Sequence, residues 1–260
     1  MRPSRHTERL ADPPILMYHR VCSDEGCRGS DFAVSATVFR AQMTYLARAG
    51  YYTPRLSEVL ASQGRAARNG KTPVVLTFDD GYSDNLQNAL PVLRELGFTA
   101  AVFPVLDLQR RSTWWGEMAA VHAPLLTARE MRSMEAAGIE FGSHSVNHPR
   151  LTQLGETQLL DELNRSREVL AGIVEHPLPV LAYPYGDVDR RVKDAVRRAG
   201  YSAALAVNTG PLEIRSDLFE IRRLPIANVG SDAYMKFKLS GADKVVRWLK
   251  WKARAAVAGA

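Results

Sequence analysis

Short apolar runs alternate with longer amphipathic segments along most of the chain. The runs are rich in β-branched and aromatic residues and read PILMYHRV, VVLTFDDG, TAAVFPVL, IEFGSHS, PVLAYPYG and SAALAVNT. Between them, the spacing of apolar residues predicts helices over 37–49, 84–96 and 158–173. Nearly continuous apolar strands that alternate with helices predict a parallel sheet covered by helices, either a closed barrel or an open doubly wound layer.

Polar residues at the carboxyl ends of the predicted strands favour the barrel. A closed barrel would bring such residues together over one mouth, whereas an open sheet would spread them along an edge. A chain of 260 residues suits one such α/β domain, which we predict over 12–230 and follow with a basic tail over 231–260. The strand-end residues are His19, Asp79, Asp80, His144 and Tyr185.

The segment VVLTFDDGY delivers two adjacent carboxylates, Asp79 and Asp80, directly before a glycine. Two carboxylates held close together raise one another's pKa, and a bound cation reverses this effect by stabilising both anions. The alternative is that the pair only decorates a turn, because Asp-Asp-Gly is common in turns.

The segment EFGSHSVNHPRL places His144 and His148 four residues apart. On a helical turn, this separation puts both imidazoles on one face, where they can share an ion. Together with a carboxylate from another strand end, they would supply three protein ligands and leave a position open for water, as in catalytic sites. Zinc fits these ligands, and cobalt, nickel or iron would fit as well.

The motifs TFDDG, SHSVNHP and AYPYG, in this order and spacing, resemble the polysaccharide deacetylase family, also called the NodB-homology hydrolases or carbohydrate esterase family four. The resemblance extends from Pro14 to about Ile226. It implies a distorted, TIM-like (β/α) barrel of about seven strands. It also implies a metal-dependent hydrolase that removes N-acetyl groups from N-acetylglucosamine-type sugars of a polysaccharide or its precursor.

The resemblance further implies a role for each motif residue. Asp79 would be the general base that takes a proton from a metal-acidified water, and the backbone N–H of Tyr185, next to Pro184, would stabilise the oxyanion. The ligands of one divalent ion would be Asp80, His144 and His148.

The chain departs from the common family pattern at two places. Ala182 stands where the family has an arginine, and the carboxyl-terminal region RRLPIAN lacks the usual acid histidine. However, LMYHRV at the start of the barrel resembles the poly-N-acetylglucosamine deacetylase branch, in which an amino-terminal histidine supplies the acid. We therefore predict that His19 is the general acid, against the alternative of a core histidine bonded to the backbone.

The formal net charge of +6 is concentrated between residues 236 and 254. Trp248 and Trp251 are interleaved with lysines and arginines there, which is typical of a helix on an anionic membrane surface or of a final helix packed on the barrel. A lipid-linked saccharide would be a suitable substrate in the first case. We predict no nucleic-acid partner, since no docking motif is present, and we make no prediction of the oligomeric state.

Cys22 and Cys27 are interpreted as ordinary loop thiols, because one pair makes neither a disulfide scaffold nor a zinc site. With no secretory signal or membrane span recognised, the sequence predicts a cytoplasmic protein, at most peripheral to the inner face of the membrane. Trp114 and Trp115 follow a predicted strand and would either stack on sugar rings or pack in the core.

Two other functions remain open from the sequence. The first is an O-acetyl esterase of the xylan type, because the same metal site would attack esters more easily than amides. The second is a noncatalytic glycan-binding protein that has lost turnover together with the arginine and the late histidine. The intact set of candidate metal ligands favours an enzyme over the second.

Overall fold

The computed structural model describes residues 12–27, 32–61, 70–113, 115, 122–207, 214 and 216–240. The strands are β1 (Ile15–Tyr18), β2 (Arg20–Cys22), β3 (Ala33–Ser35), β4 (Tyr51–Tyr52), β5 (Thr72–Pro73), β6 (Val75–Asp80), β7 (Ala101–Pro104), β8 (Glu140–Phe141), β9 (Val180–Ala182), β10 (Ala203–Ala206), β11 (Ile221–Arg222) and β12 (Leu224–Pro225). The helices are α1 (Ala36–Arg48), α2 (Leu56–Ala61), α3 (Leu90–Glu95), α4 (Ala128–Ala136), α5 (Glu156–Ala171), α6 (Arg190–Arg198) and α7 (Asp232–Leu239).

The parallel strands form a closed, distorted barrel. One sheet runs β12-β1-β6-β7-β8 and another runs β9-β10-β11, and a parallel bridge from Ser143 to Leu181 joins β8 to β9. Because β11 and β12 are two halves of one strand, interrupted only at Arg223, they connect β10 to β1. Among the described residues, the ring therefore has seven strand positions, as the family resemblance implied.

The six apolar runs predicted as strands correspond to β1 and β6 to β10. The predicted helix over 37–49 is α1, and the one over 158–173 is α5. The segment 84–96 is helical but begins as a wide turn, Asn85–Ala89, before it tightens into α3. The halves β11 and β12 were not predicted, because neither is longer than two residues and a charged residue separates them.

Alternation along the strands separates the barrel interior from the layer under the helices. Ile15 and Val75 belong to the interior cluster, and Leu16 and Phe78 pack with α1 in the outer cluster. Since successive side chains of a strand point to opposite faces, Asp79 shares the interior face of β6 with Val75. This register delivers a carboxylate to the mouth of the barrel.

The structure corrects the prediction of free thiols. Cys22 and Cys27 form a disulfide, and their Cα atoms lie 5.6 Å apart, within the usual range for such a bond. The turn after β2 brings the two residues together, and the sequence interpretation did not consider a single local bridge.

The carboxyl-terminal part of the described chain packs on the barrel through α7, whose Met235 is fully buried in the same cluster as residues of α1. Residues 241–260, which carry most of the predicted basic tail, lie outside the described residues. In the part of the chain that the structure describes, no helix combines the length and the apolar character needed to cross a bilayer.

Candidate active site

Asp80, His144 and His148 meet at the mouth of the barrel. Asp80 Oδ1 lies 3.5 Å from His144 Nε2 and 3.4 Å from His148 Nε2, and the two Nε2 atoms are 3.2 Å apart. All three side chains are buried. Within the described residues, they form a cluster whose candidate ligand atoms lie within 4.8 Å of one another.

The end of β6 is shaped to turn Asp80 toward the histidines. Asp80 has a φ of 70° and Gly81 a φ of 77°, so the strand stops in two consecutive left-handed residues. A Cβ on Gly81 would lie 2.6 Å from the Cβ of Pro104. Glycine is therefore required at this position by both conformation and space.

The two histidines lie on an irregular loop and not on the helical turn that their spacing suggested. Ser145 and His148 both have positive φ, at 66° and 55°. The Ser145 hydroxyl accepts a hydrogen bond from the backbone N–H of His148. The i and i+4 spacing was thus a correct indication of a shared site, although the backbone that produces it is different.

Glu162 of α5 binds the backbone of this loop. Its buried carboxylate accepts hydrogen bonds from the backbone N–H groups of Val146 and Asn147, both at 3.0 Å, and a further one from the Asn147 side chain. Two backbone donors on one carboxylate fix the path of the chain between the histidines. The sequence analysis did not identify Glu162, because it lies on a helix without a motif.

The arrangement fits a divalent metal ion. Burial lowers the pKa of His144 and His148, which keeps the imidazoles neutral as metal ligands must be. His144 Nδ1 is bonded to the carbonyl of Ala182 at 2.8 Å, so its Nε2 faces the cluster. Asp80 Oδ1 is buried and makes no hydrogen bond within the described residues, and burial and the Asp79 charge raise the pKa of Asp80 to about 8. A bound cation would give Asp80 Oδ1 a partner and would stabilise the ionised form of Asp80.

Asp79 is clamped by a fully buried arginine. The guanidinium of Arg223 donates to both carboxylate oxygens of Asp79, each at 2.6 Å, in a two-pronged geometry that arginine forms with carboxylates. Burial alone would raise the pKa of Asp79, but Arg223 and then His144 outweigh it, and the pKa falls to about 2. Asp79 is therefore ionised at neutral pH, whereas burial and the Asp79 charge oppose the ionisation of Asp80.

Arg223 was missed by the sequence analysis, which noted only that RRLPIAN lacks a histidine and that position 182 lacks an arginine. The available signal was an arginine inside the apolar segment IRRLPI. Arg223 interrupts the seventh strand and reaches the interior from there, with its guanidinium 5.9 Å from the ring centroid of Phe103.

His19 follows β1 and lines the same cavity as the cluster. Its ring makes an edge contact with Phe32, at 5.2 Å between centroids. Burial lowers the pKa of His19 to about 4, although the Asp79 charge opposes this shift. The ring is consequently neutral at pH 7.

Tyr185 forms another part of the wall. It has a φ of 59°, and its ring lies 4.6 Å from that of His148 and 4.2 Å below the guanidinium carbon of Arg150. Arg150 also forms an ion pair with Asp187. Pro184 begins the turn that carries Tyr185, is buried and is not among the residues that line the cavity.

Trp115 packs against the cluster. It is 7% exposed and stacks on His148 at 4.7 Å with an interplanar angle of 25°. This supports the packing alternative for Trp115 over an open platform for sugars. Trp114 lies outside the described residues.

A cavity of about 440 Å³ contains the candidate site. Its lining includes Asp79, Asp80, both cluster histidines, His19 and Tyr185. Phe32 and Tyr185 are 43% and 40% exposed and present aromatic surface at the rim. The arrangement can hold a cation, present an ionised carboxylate beside it and admit a small ligand.

Comparison with known proteins identifies relatives of this arrangement. A family model described as polysaccharide deacetylase matches residues 66–204. The chain is 28% identical over 223 residues to the putative polysaccharide deacetylase YxkH of Bacillus subtilis strain 168, covering 85% of this chain and 74% of that protein.

A second relative is the poly-beta-1,6-N-acetyl-D-glucosamine N-deacetylase of Staphylococcus aureus strain MSSA476. It is 22% identical over 210 residues, which cover 76% of this chain and 69% of that protein. Among solved structures, the Streptococcus pyogenes deacetylase PplD in complex with acetate superposes with a TM-score of 0.75 at 26% identity. The superposition covers 88% of this chain and 98% of that one.

Proposed function

Because the chain belongs to the polysaccharide deacetylase family, we propose that it is a divalent-metal-dependent hydrolase of N-acetyl groups. The substrate is an N-acetylglucosamine-type sugar in a polysaccharide or its precursor. The observation that carries the proposal is the buried Asp80, His144 and His148 cluster beside an ionised Asp79 in one cavity. The N-deacetylase name of the Staphylococcus aureus relative supports the substrate class.

The metal ligands in this proposal are Asp80, His144 and His148. A divalent ion held by them, zinc in the first instance and otherwise cobalt, nickel or iron, would supply Lewis acidity to the acetyl carbonyl and to water. The fixed orientation of His144 through the Ala182 carbonyl limits the positions that such an ion can take.

Asp79 is the proposed general base. With a pKa of about 2, it is ionised at neutral pH and can therefore accept a proton. The Arg223 fork lowers its basicity but keeps it ionised next to a second carboxylate, and it also fixes both oxygens in position. Arg223 is therefore a positioning residue for the base.

His19 is the proposed general acid for the departing amine. Because its pKa is about 4, the ring is neutral before reaction and has to receive its proton during turnover. Asp79, which lines the same cavity, is the group that gains a proton in the preceding step. The backbone N–H of Tyr185 is the proposed donor to the oxygen that becomes negative.

Product analysis distinguishes the proposed N-deacetylase from an O-acetyl esterase. Purified enzyme supplied with zinc is incubated with oligomers of N-acetylglucosamine, linked β-1,6 or as in chitin, and separately with acetyl-xylan. The proposal expects one free amine for each acetate released from the oligomers. Acetate from acetyl-xylan without any amine from the oligomers identifies an O-acetyl esterase, and saccharide binding without acetate identifies a noncatalytic protein.

Residues 241–260 of the basic tail predicted over 231–260 carry a separate proposal. We propose contact with anionic membrane, which would bring the barrel to a lipid-linked saccharide. Co-sedimentation with anionic liposomes is measured for the full chain and for a version that ends at Ser240. Weaker binding of the shorter version supports the contact, and equal binding shows that residues 241–260 do not contribute to it.

A further inference from the structure

A second cavity, of about 600 Å³, opens beside the catalytic cavity. Arg20, which lines the second cavity, directly follows His19, which lines the first. Leu125 of the second cavity and Trp115 of the catalytic cavity pack with the buried ring of Tyr82 in one apolar cluster, and that ring lies 5.5 Å from the guanidinium carbon of Arg20. The two cavities are thus neighbours at the carboxyl ends of β1 and β6.

Polar contacts within the protein hold the floor of the second cavity. Arg20 and Asp84 form an ion pair of 3.0 Å, with side chains only 11% and 12% exposed. The other oxygen of Asp84 accepts the backbone N–H of Val21 at 3.1 Å, and the Asn88 side chain donates to the Val21 carbonyl at 2.7 Å. These contacts hold the polar groups in place before any ligand binds, which lowers the entropic cost of binding.

The lining has the chemistry of a site for an uncharged polyhydroxyl ligand. Its charges balance, because Arg20 and Arg111 are matched by Asp84 and Glu130, so the cavity offers no net attraction to a polyanion. Hydroxyl and amide groups supply both donors and acceptors, and Leu125 supplies an apolar wall. Sugars present this combination of hydroxyls and apolar C–H surface.

Two side chains of the lining, Gln87 and Arg111, are exposed. Within the described residues, the side chains of Gln87 and Arg111 make no hydrogen bond or ion pair with the protein. An amide and a guanidinium at the edge of a fixed polar floor can bind ring hydroxyls without breaking existing contacts.

We propose that the second cavity is a saccharide subsite, which binds a sugar unit near the reacting one in a polymeric substrate. This inference rests on the proposed function and deepens it, since it makes the enzyme selective for chains over single sugars. The polymer passes beside Arg20 from the catalytic cavity to the second one, with the acetylated unit over Asp79 and a neighbouring part of the chain on Gln87 and Arg111.

The test compares a one-sugar probe with a polymer. The value of kcat/KM is measured on the methyl glycoside of N-acetylglucosamine and on the β-1,6-linked pentamer for wild type, Gln87→Ala, Arg111→Ala and the double variant. Arg132→Ala, an exposed arginine of α4 outside the cavity, is the control. We expect the double variant to lose about tenfold on the pentamer and less than about twofold on the one-sugar probe. Equal losses on both probes, or no loss on the pentamer, overturn the subsite.

Calorimetric binding separates failure of the subsite from failure of the proposed function. If the wild type releases no acetate from either probe, the proposed function fails, and pentamer affinity then decides the subsite. An affinity about tenfold weaker in the double variant than in wild type and Arg132→Ala supports it. Equal affinity, or no binding of the pentamer by the wild type, overturns it.

Discussion

At the scale of single residues, the two-pronged ion pair between Arg223 and Asp79 buries two charges, each of which compensates the other. Arg223 has no exposed surface, and Asp79 is 2% exposed. Removal of one member of such a pair leaves an uncompensated buried charge, which typically costs about 3–5 kcal/mol. The fork thus contributes to folding as well as to the ionisation of Asp79.

Replacement of Arg223 by methionine tests this dependence. We expect the free energy of unfolding at pH 7 to fall by about 3–5 kcal/mol, with a smaller loss for Arg223→Lys. The folded pKa of Asp79, about 2, lies below its usual value. Its stabilisation is therefore complete above about pH 4 and is lost as the pH falls toward 2. Urea unfolding at several pH values checks this, and a difference between wild type and Arg223→Met that stays constant down to pH 2 contradicts it.

Kinetic measurements distinguish a catalytic role of His19 from a purely structural one. If it protonates the departing amine, His19→Gln lowers kcat by roughly 10²–10⁴-fold while zinc affinity is unchanged. His176→Gln, at an exposed position away from the cavity, is the matched control. Full activity of His19→Gln together with a loss of thermal stability would identify a core histidine instead.

At the scale of elements, the loop that carries His144 and His148 depends on α5. The carboxylate of Glu162 binds two consecutive backbone N–H groups of this loop, while residues of positive φ hold the chain in an unusual path. A loop with this geometry cannot be held by local preference alone. Glu162 on α5 adds two hydrogen bonds to those that the loop makes with Ser145 and with the segment after β7.

Glu162→Ala should therefore weaken metal binding without removal of any ligand. Partners that orient metal ligands typically contribute 10–100-fold to affinity, and we expect a zinc dissociation constant higher by about that factor. The control is Glu168→Ala, which removes an exposed carboxylate from the same helix. Competition with a chromogenic chelator measures both variants, and equal affinities would mean that the loop is ordered without Glu162.

The Cys22–Cys27 disulfide stabilises the turn that follows β2. Closure of so short a loop restricts the unfolded chain by about 2 kcal/mol in the chain-entropy model. We expect reductant to lower the unfolding free energy of the wild type by about this amount and to leave a variant with both cysteines replaced by serine unchanged. An equal response of both proteins to reductant would show that the thiols are not paired in solution.

At the scale of the whole molecule, the sequence predicted six strands of the barrel because each lies in a short run of mostly apolar residues. It did not predict the seventh, where Arg223 divides the strand into two short halves. The role of Arg223 was not predicted either. A buried arginine is stabilised by its partner across the barrel, here Asp79, and its neighbours in the chain do not reveal that partner.

The candidate metal ligands were predictable because two motifs carry them at strand ends, and the structure brings them together. Glu162 and the second cavity were not predictable, because they arise from contacts between segments far apart in sequence. The cytoplasmic location stays a prediction, and the disulfide is a feature more typical of oxidising compartments.

The central claim is hydrolysis of N-acetyl groups by a metal site that works with Asp79. Its most direct test is proton NMR of the β-1,6-linked N-acetylglucosamine pentamer with wild-type enzyme, chelator-treated enzyme, chelator-treated enzyme resupplied with zinc, and Asp79→Asn. We expect acetate and free amine in equal amounts from the wild type and the resupplied enzyme. The chelated enzyme and Asp79→Asn should be slower by at least about 10²-fold. Undiminished release of acetate and amine by the chelated enzyme or by Asp79→Asn would contradict the account.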